Sequence, residues 1–540
     1  MLLIDLRSFG PGNSSANPKQ LPAGIGVEVR NLDLTQGDFR GMRGTALAHT
    51  LTGLGAQQGS LYRFGRDTPS DTQFWITFSA DADFARSLLA TDPTERTYIT
   101  GGGGAPRYTD STIIGTAPYP TATVALGVPA PATSMTVSVD TAGTGPDTAY
   151  VFVDTFLRAN GDESAPNTNP TTITAPAGTL FDIASLSTVP GGTHGITNRR
   201  IYVSIAGGEY LQQLQQTATT TTVNALAITS TGAVLQTGGS ATKPAWLEPP
   251  SAGFGIIELW SGMHGLLEGK SYRVCVQFNP HAWPVEYRKQ VPDTIVGSAA
   301  YGENWVLATT GLPRVVNGTS PAAMIARPIS GFKQACVSKR SVKSVGHGVC
   351  WASNDGLAYH GQLGTKVLTD GILTKAQWRA LVPSTIIGAS WGRWYIGFYN
   401  DGTRRSFMID TVEPKGIIWT DVAAYAAFED SISETLYLLQ AGNLIHKWDY
   451  GTQLEASFKS AVFRIPSQVN PGACRIVATT YPVRFTFWTD GELRINEMEV
   501  FDDEPFRLPG GYEASEFQVR LRGRGPLEGC FIGTEMASLP

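Results

Sequence analysis

The side chains best able to do chemistry in this chain are scattered rather than gathered. Seven histidines stand at His49, His194, His264, His281, His347, His360 and His446, and none falls into HxH, HExxH or Cys/His spacing. His347 and His360 flank a predicted hairpin and could approach each other, but no carboxylate or thiolate sits in register to complete a metal site. Acidic pairs occur at Asp162-Glu163 and Asp502-Asp503-Glu504, both among turn residues, so a solvated turn is expected at each. Spacing alone does not single out glycosidase carboxylates, and there is no GxSxG serine elbow. The run Gly101-Gly102-Gly103-Gly104 lacks the Gly-Lys-Ser/Thr ending of a phosphate loop, and Pro106 and Tyr108 follow where a helix would be needed. A linker is the expected role. No catalytic residue, no cofactor-binding residue, no cofactor and no metal ligand is expected.

Aromatic rings are dense at Trp391, Trp394, Tyr395, Phe398 and Tyr399. They could stack bases or sugars, but their placement on a strand favours core packing. Arg520, Arg522 and Arg524 alternate and would share one strand face, a solvated face that could touch a partner or DNA in a channel. The five cysteines, Cys275, Cys336, Cys350, Cys474 and Cys530, form no CxxC pair and sit in apolar contexts. Buried free thiols and assembly in a reducing cytoplasm fit them.

These side chains must be held by a chain of 540 residues, long enough for several domains or one large repeat array. Sixty glycines and 33 prolines favour many short strands joined by turns. Only 16% of residues are charged and the net charge is -5, so tight DNA binding is disfavoured, although a conduit through which DNA slides is allowed. Asp5 and Arg7 interrupt the first apolar run, so no signal peptide is expected. No stretch reaches the roughly 18 apolar residues of a membrane helix.

A repeat organises the C-terminal half. An apolar, aromatic-rich strand runs into a turn glycine and a second strand at Gly311, Gly356, Gly402, Gly442 and Gly491, spaced by 45, 46, 40 and 49 residues. Hairpins of this period are expected of four-stranded propeller blades, which bury their faces only against neighbours. One helix is predicted after the N-cap Thr374, ended by Pro383, in a loop between blades. Leu61–Phe64, Phe74–Phe78, Gly255–Trp260 and Tyr272–Phe278 supply further strands. The turn Ser353-Asn354-Asp355-Gly356-Leu357-Ala358 only superficially resembles the S-x-D-x-G-x-T-W turn of sialidase blades, with a different Gly spacing and no Thr-Trp.

Residues from about 110 to 245 are rich in Thr, Ala and Pro and poor in charge. Strands at Thr148–Phe156, Arg199–Ser204 and Thr219–Val223 suggest a β-sandwich. Gly101–Gly104 and Gly238-Gly239-Ser240 flank it as flexible hinges. The expected fold is therefore mainly β. Residues 1–108 begin a six-bladed propeller, residues 109–245 form an inserted fibronectin III/Ig-like sandwich, and residues 246–540 complete the propeller.

Several segments resemble the nozzle, or tubular tail protein B, family of short-tailed bacteriophages. They are Leu21-Pro22-Ala23-Gly24 with Asn31–Arg40 and Arg43-Gly44, then Pro284–Arg288, Ala335–Val342, Ala352–Leu357 and Pro505–Gly511. Ile196–Tyr202 resembles the fibronectin III-like domain of some members. The likeness covers about three quarters of the chain. It implies a virion protein made in the host cytoplasm that forms a homo-oligomeric, six-membered ring at the distal end of the tail. That ring would contact the tail adaptor protein, the fibres or spikes and the host envelope, and genomic DNA would pass through it without sequence-specific binding. The family carries no active-site residues to transfer. A carbohydrate-binding or depolymerising propeller of a tail or cell surface is the alternative.

Overall fold

A computed structural model of the chain describes residues 1–34, 38–65, 74–89, 92–238 and 244–540. Thr35, Gln36 and Gly37 of the N-terminal motif, and Gly239 and Ser240 of the second glycine hinge, lie outside the described residues. The chain is almost entirely β, and no helix is long and apolar enough to cross a membrane.

The body is a β-propeller. Among the described residues, five antiparallel four-stranded sheets and the first four strands of a ten-stranded sheet surround one axis. We number the sectors in ring order. Blade 2 has strands Ala82–Arg86, Thr97–Gly101, Gly104–Thr109 and Val124–Ala125. Blade 3 has Phe254–Glu258, His264–Glu268, Ser271–Val274 and Arg288–Gln290. Blade 4 has Ile295–Tyr301, Asn304–Thr309, Arg314–Asn317 and Ile325–Pro328. Blade 5 has Lys343–Ser344, Gly348–Ala352, Leu357–Gly361 and Gly364–Val367, and blade 6 has Ile387–Trp391, Trp394–Asn400, Arg404–Asp410 and Ile417–Thr420. Blade 7 has Ala426–Asp430, Thr435–Gln440 and Leu444–Lys447, and its outer strand, Ala46–Thr50, comes from near the N-terminus. The hairpin Ser60–Phe64/Phe74–Phe78 fills sector 1, between blades 7 and 2. The ring therefore has seven sectors and not the expected six: six four-stranded blades and, among the described residues, a two-stranded hairpin that closes the circle between blades 7 and 2.

Blades stack because their faces are apolar. Trp305 of blade 4 is fully buried against blade 3. A side chain at Gly265 would overlap its ring, at 2.7 Å from Cη2. Burying one such indole removes about 150–250 Å² from water, a stabilisation of several kcal/mol per ring at ~25 cal/mol per Å².

The turn glycines at 311, 356, 402 and 442 all lie between the second and third strands of their blades. They serve two purposes. Gly402 and Gly442 adopt φ of 112° and 79°, whereas Gly311 and Gly356 leave room for Asp293 and Thr369. Gly101–Gly104 is the same turn in blade 2, a tight hairpin and not a linker. The helix Lys375–Ala380 lies between blades 5 and 6 with a complete Thr374/Gln377 capping box.

Two expected boundaries move. The outer strand Val124–Ala125 completes blade 2, so the first strand of the inserted sandwich begins only at Thr136. The sandwich pairs Thr136–Thr141, Leu180–Ala184 and Val223–Ala227 in one sheet. The other holds Thr171–Pro176, Asp147–Arg158, Ile196–Ile205 and Tyr210–Thr217. The β-branched run from Thr219 leads into the strand starting at Val223 and forms no strand of its own.

Likewise, residues 456–540 are not blades. Their strands pair with one another and with Leu2–Leu6 and Gly26–Arg30 to form a terminal platform. The hairpin at Gly491 therefore belongs to the platform. Its turn chemistry is that of a blade hairpin because such chemistry is local and says nothing about what the hairpin packs on. The outer strand of blade 6 pairs with Gly26–Arg30, so one sheet runs from the propeller axis into the platform. One hydrophobic cluster spans both, from Ile396 and Phe398 to Phe458, Phe485 and Leu521.

The sandwich is bolted to blade 2 by buried charge. Asp162 and Glu163, expected in a solvated turn, are buried instead. Asp162 meets Arg96 at 3.1 Å, Arg158 at 3.2 Å and His281 at 3.4 Å. Arg158 also donates to the carbonyls of Ala125 and Gly127 at 2.6 and 2.7 Å. Glu163 accepts from Arg200 at 2.7 Å and from the Tyr202 hydroxyl at 2.8 Å. Burial pushes the Asp162 carboxyl up, but the cationic form of His281 and the fixed charges of Arg96 and Arg158 outweigh it, and the net shift is downward.

Removing one partner from such a cluster strands the others. Asp162→Asn should cost about 3–5 kcal/mol, read as a lower urea midpoint. Burial also lowers the His281 imidazole to about 4, against the opposing pull of Asp162 and with Arg158 and Arg96 reinforcing it, and lowers that of His264 to about 4. A depressed pKa gives stability that is complete above the free value near 6.5 and is lost as pH falls toward 4. Asp154, raised by burial to about 6, works in the opposite direction. Urea midpoints should therefore fall between pH 7.5 and 5, and a His281→Asn variant, weaker at pH 7.5, should show a smaller drop.

Candidate functional site

The inner strand of every sector contributes to one axial cavity of about 480 Å³. Its wall carries three acids, Asp81, Asp83 and Glu258, and three bases, Lys339, Arg340 and Lys343. The bases come from one segment, Ser338–Ser344, that enters blade 5 across the axis. Lys339 Nζ reaches Asp81 at 2.6 Å and Asp83 at 2.7 Å, on the far side of the ring. Arg340 donates to the Gln58 carbonyl at 3.2 Å and to the Tyr425 carbonyl. Ser338 Oγ donates to the Ile386 carbonyl at 2.8 Å, and the Tyr395 hydroxyl donates to the Ser341 carbonyl at 2.9 Å. One short segment is thereby tied to blades 2, 6 and 7 and to sector 1.

Asp83 is also held from its own side. The Gly255 N–H donates to it at 2.8 Å and the Thr100 hydroxyl at 3.3 Å. Burial is the largest influence on its carboxyl and raises its pKa; Lys339 opposes this and Asp81 adds to it. Burial pulls the Lys339 ammonium down, but Asp83 and Asp81 more than offset it, so the net shift is upward and the ammonium stays charged. The arrangement can hold fixed opposite charges in a narrow space. Among the described residues neither His nor Cys lines the cavity to move a proton or attack a carbonyl. A space of this size suits a small molecule. It is far too small for a duplex, whose major groove alone is about 12 Å wide.

The residues singled out from sequence go elsewhere. His347 and His360 sit near each other in blade 5 but part ways, His347 toward Thr411 at 3.3 Å and His360 toward Thr365 at 2.7 Å. No group of three or more potential metal-binding side chains occurs among the described residues. Asp502, Asp503 and Glu504 are exposed, and Asp503 pairs with Arg475 at 2.9 Å. All five cysteines are buried thiols. Tyr395, Phe398 and Tyr399 are core residues, whereas Trp391 and Trp394 are half-buried. Arg520 and Arg522 do share a strand face in the platform, where Glu28 meets Arg520 at 2.9 Å and Glu497 meets Arg522 at 2.6 Å. Arg524 lies past the end of that strand and is exposed.

Sequence reasoning missed the axial cluster. The available signal was the dibasic Lys339-Arg340 beside apolar strands and the alternating Asp81-x-Asp83, in a chain where charge is scarce. The segment that carries the axial bases overlaps Ala335–Val342, already singled out as distinctive on other grounds.

Replacing Lys339 by Met should leave two carboxylates facing each other and cost about 3 kcal/mol near neutral pH. The deficit relative to wild type should shrink as pH falls toward 4, because Asp83 then takes up a proton and the repulsion ends. Urea titrations of both proteins at pH 7.5 and 4.5 check this.

No family model and no curated protein matches this chain. Among solved structures, one similar chain belongs to the mitotic checkpoint complex, with 16% identity over 45% of this chain and 80% of that one, at a TM-score of 0.26. Another is the AfRom2 CNH domain, with 9% identity over 72% of this chain and 98% of that one, at a TM-score of 0.25. At those scores neither carries an argument, and the propeller assignment rests on strand order and ring closure.

Proposed function

We propose that the chain is a structural subunit of a short bacteriophage tail, set in a ring of six copies at its distal end. In this reading it is not an enzyme. The ring conducts DNA during ejection and anchors fibres or spikes. One observation carries the reading: the unbroken sheet from the propeller axis through blade 6 into the platform, which couples the two into one stiff body. A conduit under load needs subunits that transmit force without hinging.

The axial cavity is spanned by Lys339, so DNA would pass between subunits and not through the propeller axis. The compensated arginines of the platform fit a wall that does not grip passing phosphates. In this reading the sandwich, fixed to blade 2 at Asp162, contacts the adaptor, the fibres or the host envelope. The described residues of the resembling segments Asn31–Arg40, Arg43-Gly44 and Ala335–Val342 fall on joints of this body, the first two near the blade 6–platform seam and the third at the axis.

A carbohydrate-binding or depolymerising role is the second reading. It rests on a cleft of about 620 Å³ where Trp391 and Trp394 meet Arg393, Glu429, Asp430 and Glu434. Indoles beside carboxylates suit a sugar ring. A glycan array with a reducing-end assay tests it, and turnover would favour it over the first.

Electron microscopy of the purified protein and of virions should show a ring with a central channel. A strictly monomeric protein that is missing from virions would sink the tail reading.

A further inference from the structure

The joint between the sandwich and blades 2 and 3 holds one imidazole that makes no hydrogen bond. His281 lies between the last two strands of blade 3. It is 6% exposed, and neither ring nitrogen has a hydrogen-bond partner. The sandwich presents the Asp162 carboxylate to it at 3.4 Å. The chain returning from the sandwich presents Trp246, with ring centroids 5.4 Å apart in an edge-to-face arrangement.

The fixed charges around this ring already cancel. Arg96 of blade 2 answers Asp92 and Asp162, each at 3.1 Å, and Arg158 of the sandwich answers Asp162 at 3.2 Å. Arg200 answers Glu163 at 2.7 Å. Three guanidiniums thus face three carboxylates. A proton on His281 adds a fourth cation in a place where burial denies it hydration. Burial is the largest influence on the imidazole and lowers it; Asp162 opposes that, Arg158 and Arg96 reinforce it, and the Glu163 backbone opposes it least. A second pair at this joint, His194 of the sandwich and Glu248 of the returning chain, stands 3.9 Å apart.

We propose that His281 is a proton-operated latch: uncharged it lets the sandwich dock on blades 2 and 3, and protonated it releases the sandwich with both lobes still folded. Release exposes His281, Asp162 and Arg96 to water, where a charged imidazole is no longer penalised. The sandwich keeps its own core, built on Phe152, Phe181 and Ile201, so it can leave without unfolding. The position of the sandwich then depends on the acidity around the molecule. The inference is independent of the tail assignment.

Hydrogen exchange of the full chain reads this equilibrium, with each rate referred to the intrinsic rate at the same pH. The Ala125 N–H of blade 2 donates to the Thr193 carbonyl of the sandwich at 2.8 Å and reports the joint. Val203, paired on both sides in the middle of the sandwich sheet, and Leu438, paired on both sides in blade 7, report the lobes themselves. His281 sits at about 4 when docked against about 6.5 when free, so its stabilisation of the docked state is complete above 6.5 and falls away toward 4. Protection at Ala125 should therefore drop roughly thirtyfold between pH 7.5 and 5, and protection at Val203 and Leu438 by much less. His281→Asn should remove most of the drop at Ala125, and His281→Gln serves if the first variant fails to fold. Constant protection at Ala125 would overturn the proposal. So would parallel losses at all three amides, which mean global unfolding, or a full drop at Ala125 in the folded variant.

Discussion

The ring depends on one ammonium group that answers two carboxylates across its centre. Stacked blades are joined by apolar faces, and hydrophobic contact has no direction. Many rotations and offsets of one blade on the next would bury similar area. Lys339 between Asp81 and Asp83 removes that freedom, because a desolvated charge accepts only one position for its partners. Arg340, anchored on two backbone carbonyls, does the same for the opposite arc. The axis is thus the place where a non-specific stack becomes a particular ring.

The seams outside the axis repeat this logic with other groups. Arg63 of sector 1 meets buried Asp430 of blade 7 at 2.8 Å. His264 of blade 3 pairs with the Arg86 carbonyl of blade 2 at 2.9 Å. The Trp260 indole N–H donates to the Gly318 carbonyl at 2.7 Å, joining blades 3 and 4. At the sandwich, Asp162 among Arg96, Arg158 and His281 replaces what would otherwise be a flexible tether. A chain in which only 16% of residues are charged has placed many of them where blades or lobes meet.

Much of the propeller was legible because its signals are local. Turn glycines every 40–50 residues, aromatic strands and the Thr374 cap each act within a few residues. The same locality explains the failures. Gly491 sits in a hairpin as sound as the one at Gly402, yet the first packs in the platform and the second in blade 6. Gly101–Gly104 reads as a linker by composition and proves to be a blade turn. The axial site showed in the sequence only as two unconnected charge motifs, Asp81-x-Asp83 and Lys339-Arg340. Lys339 lies more than 250 residues from Asp81, and only ring closure brings them together. The Trp391/Trp394 pair was noticed as aromatic density. Its neighbour Trp448, whose ring lies 6.2 Å from that of Trp391, was not, because it arrives from a different blade.

The clasp of blade 7 has a temporal side. Its outer strand, Ala46–Thr50, is made early, and its partner, Leu444–Lys447, is made late. At synthesis rates of about 5–20 residues per second, the intervening stretch takes roughly 20–80 s to emerge. Throughout that interval the first-made strand has an open edge, with Leu47 still largely exposed even in the finished ring. The nascent chain therefore carries a sticky strand for most of its birth, and two ribosomes on one message could exchange it. Closing the circle waits until most of the chain is made, and only the platform, whose Leu2–Leu6 pairs with Leu527–Gly533, has to wait longer.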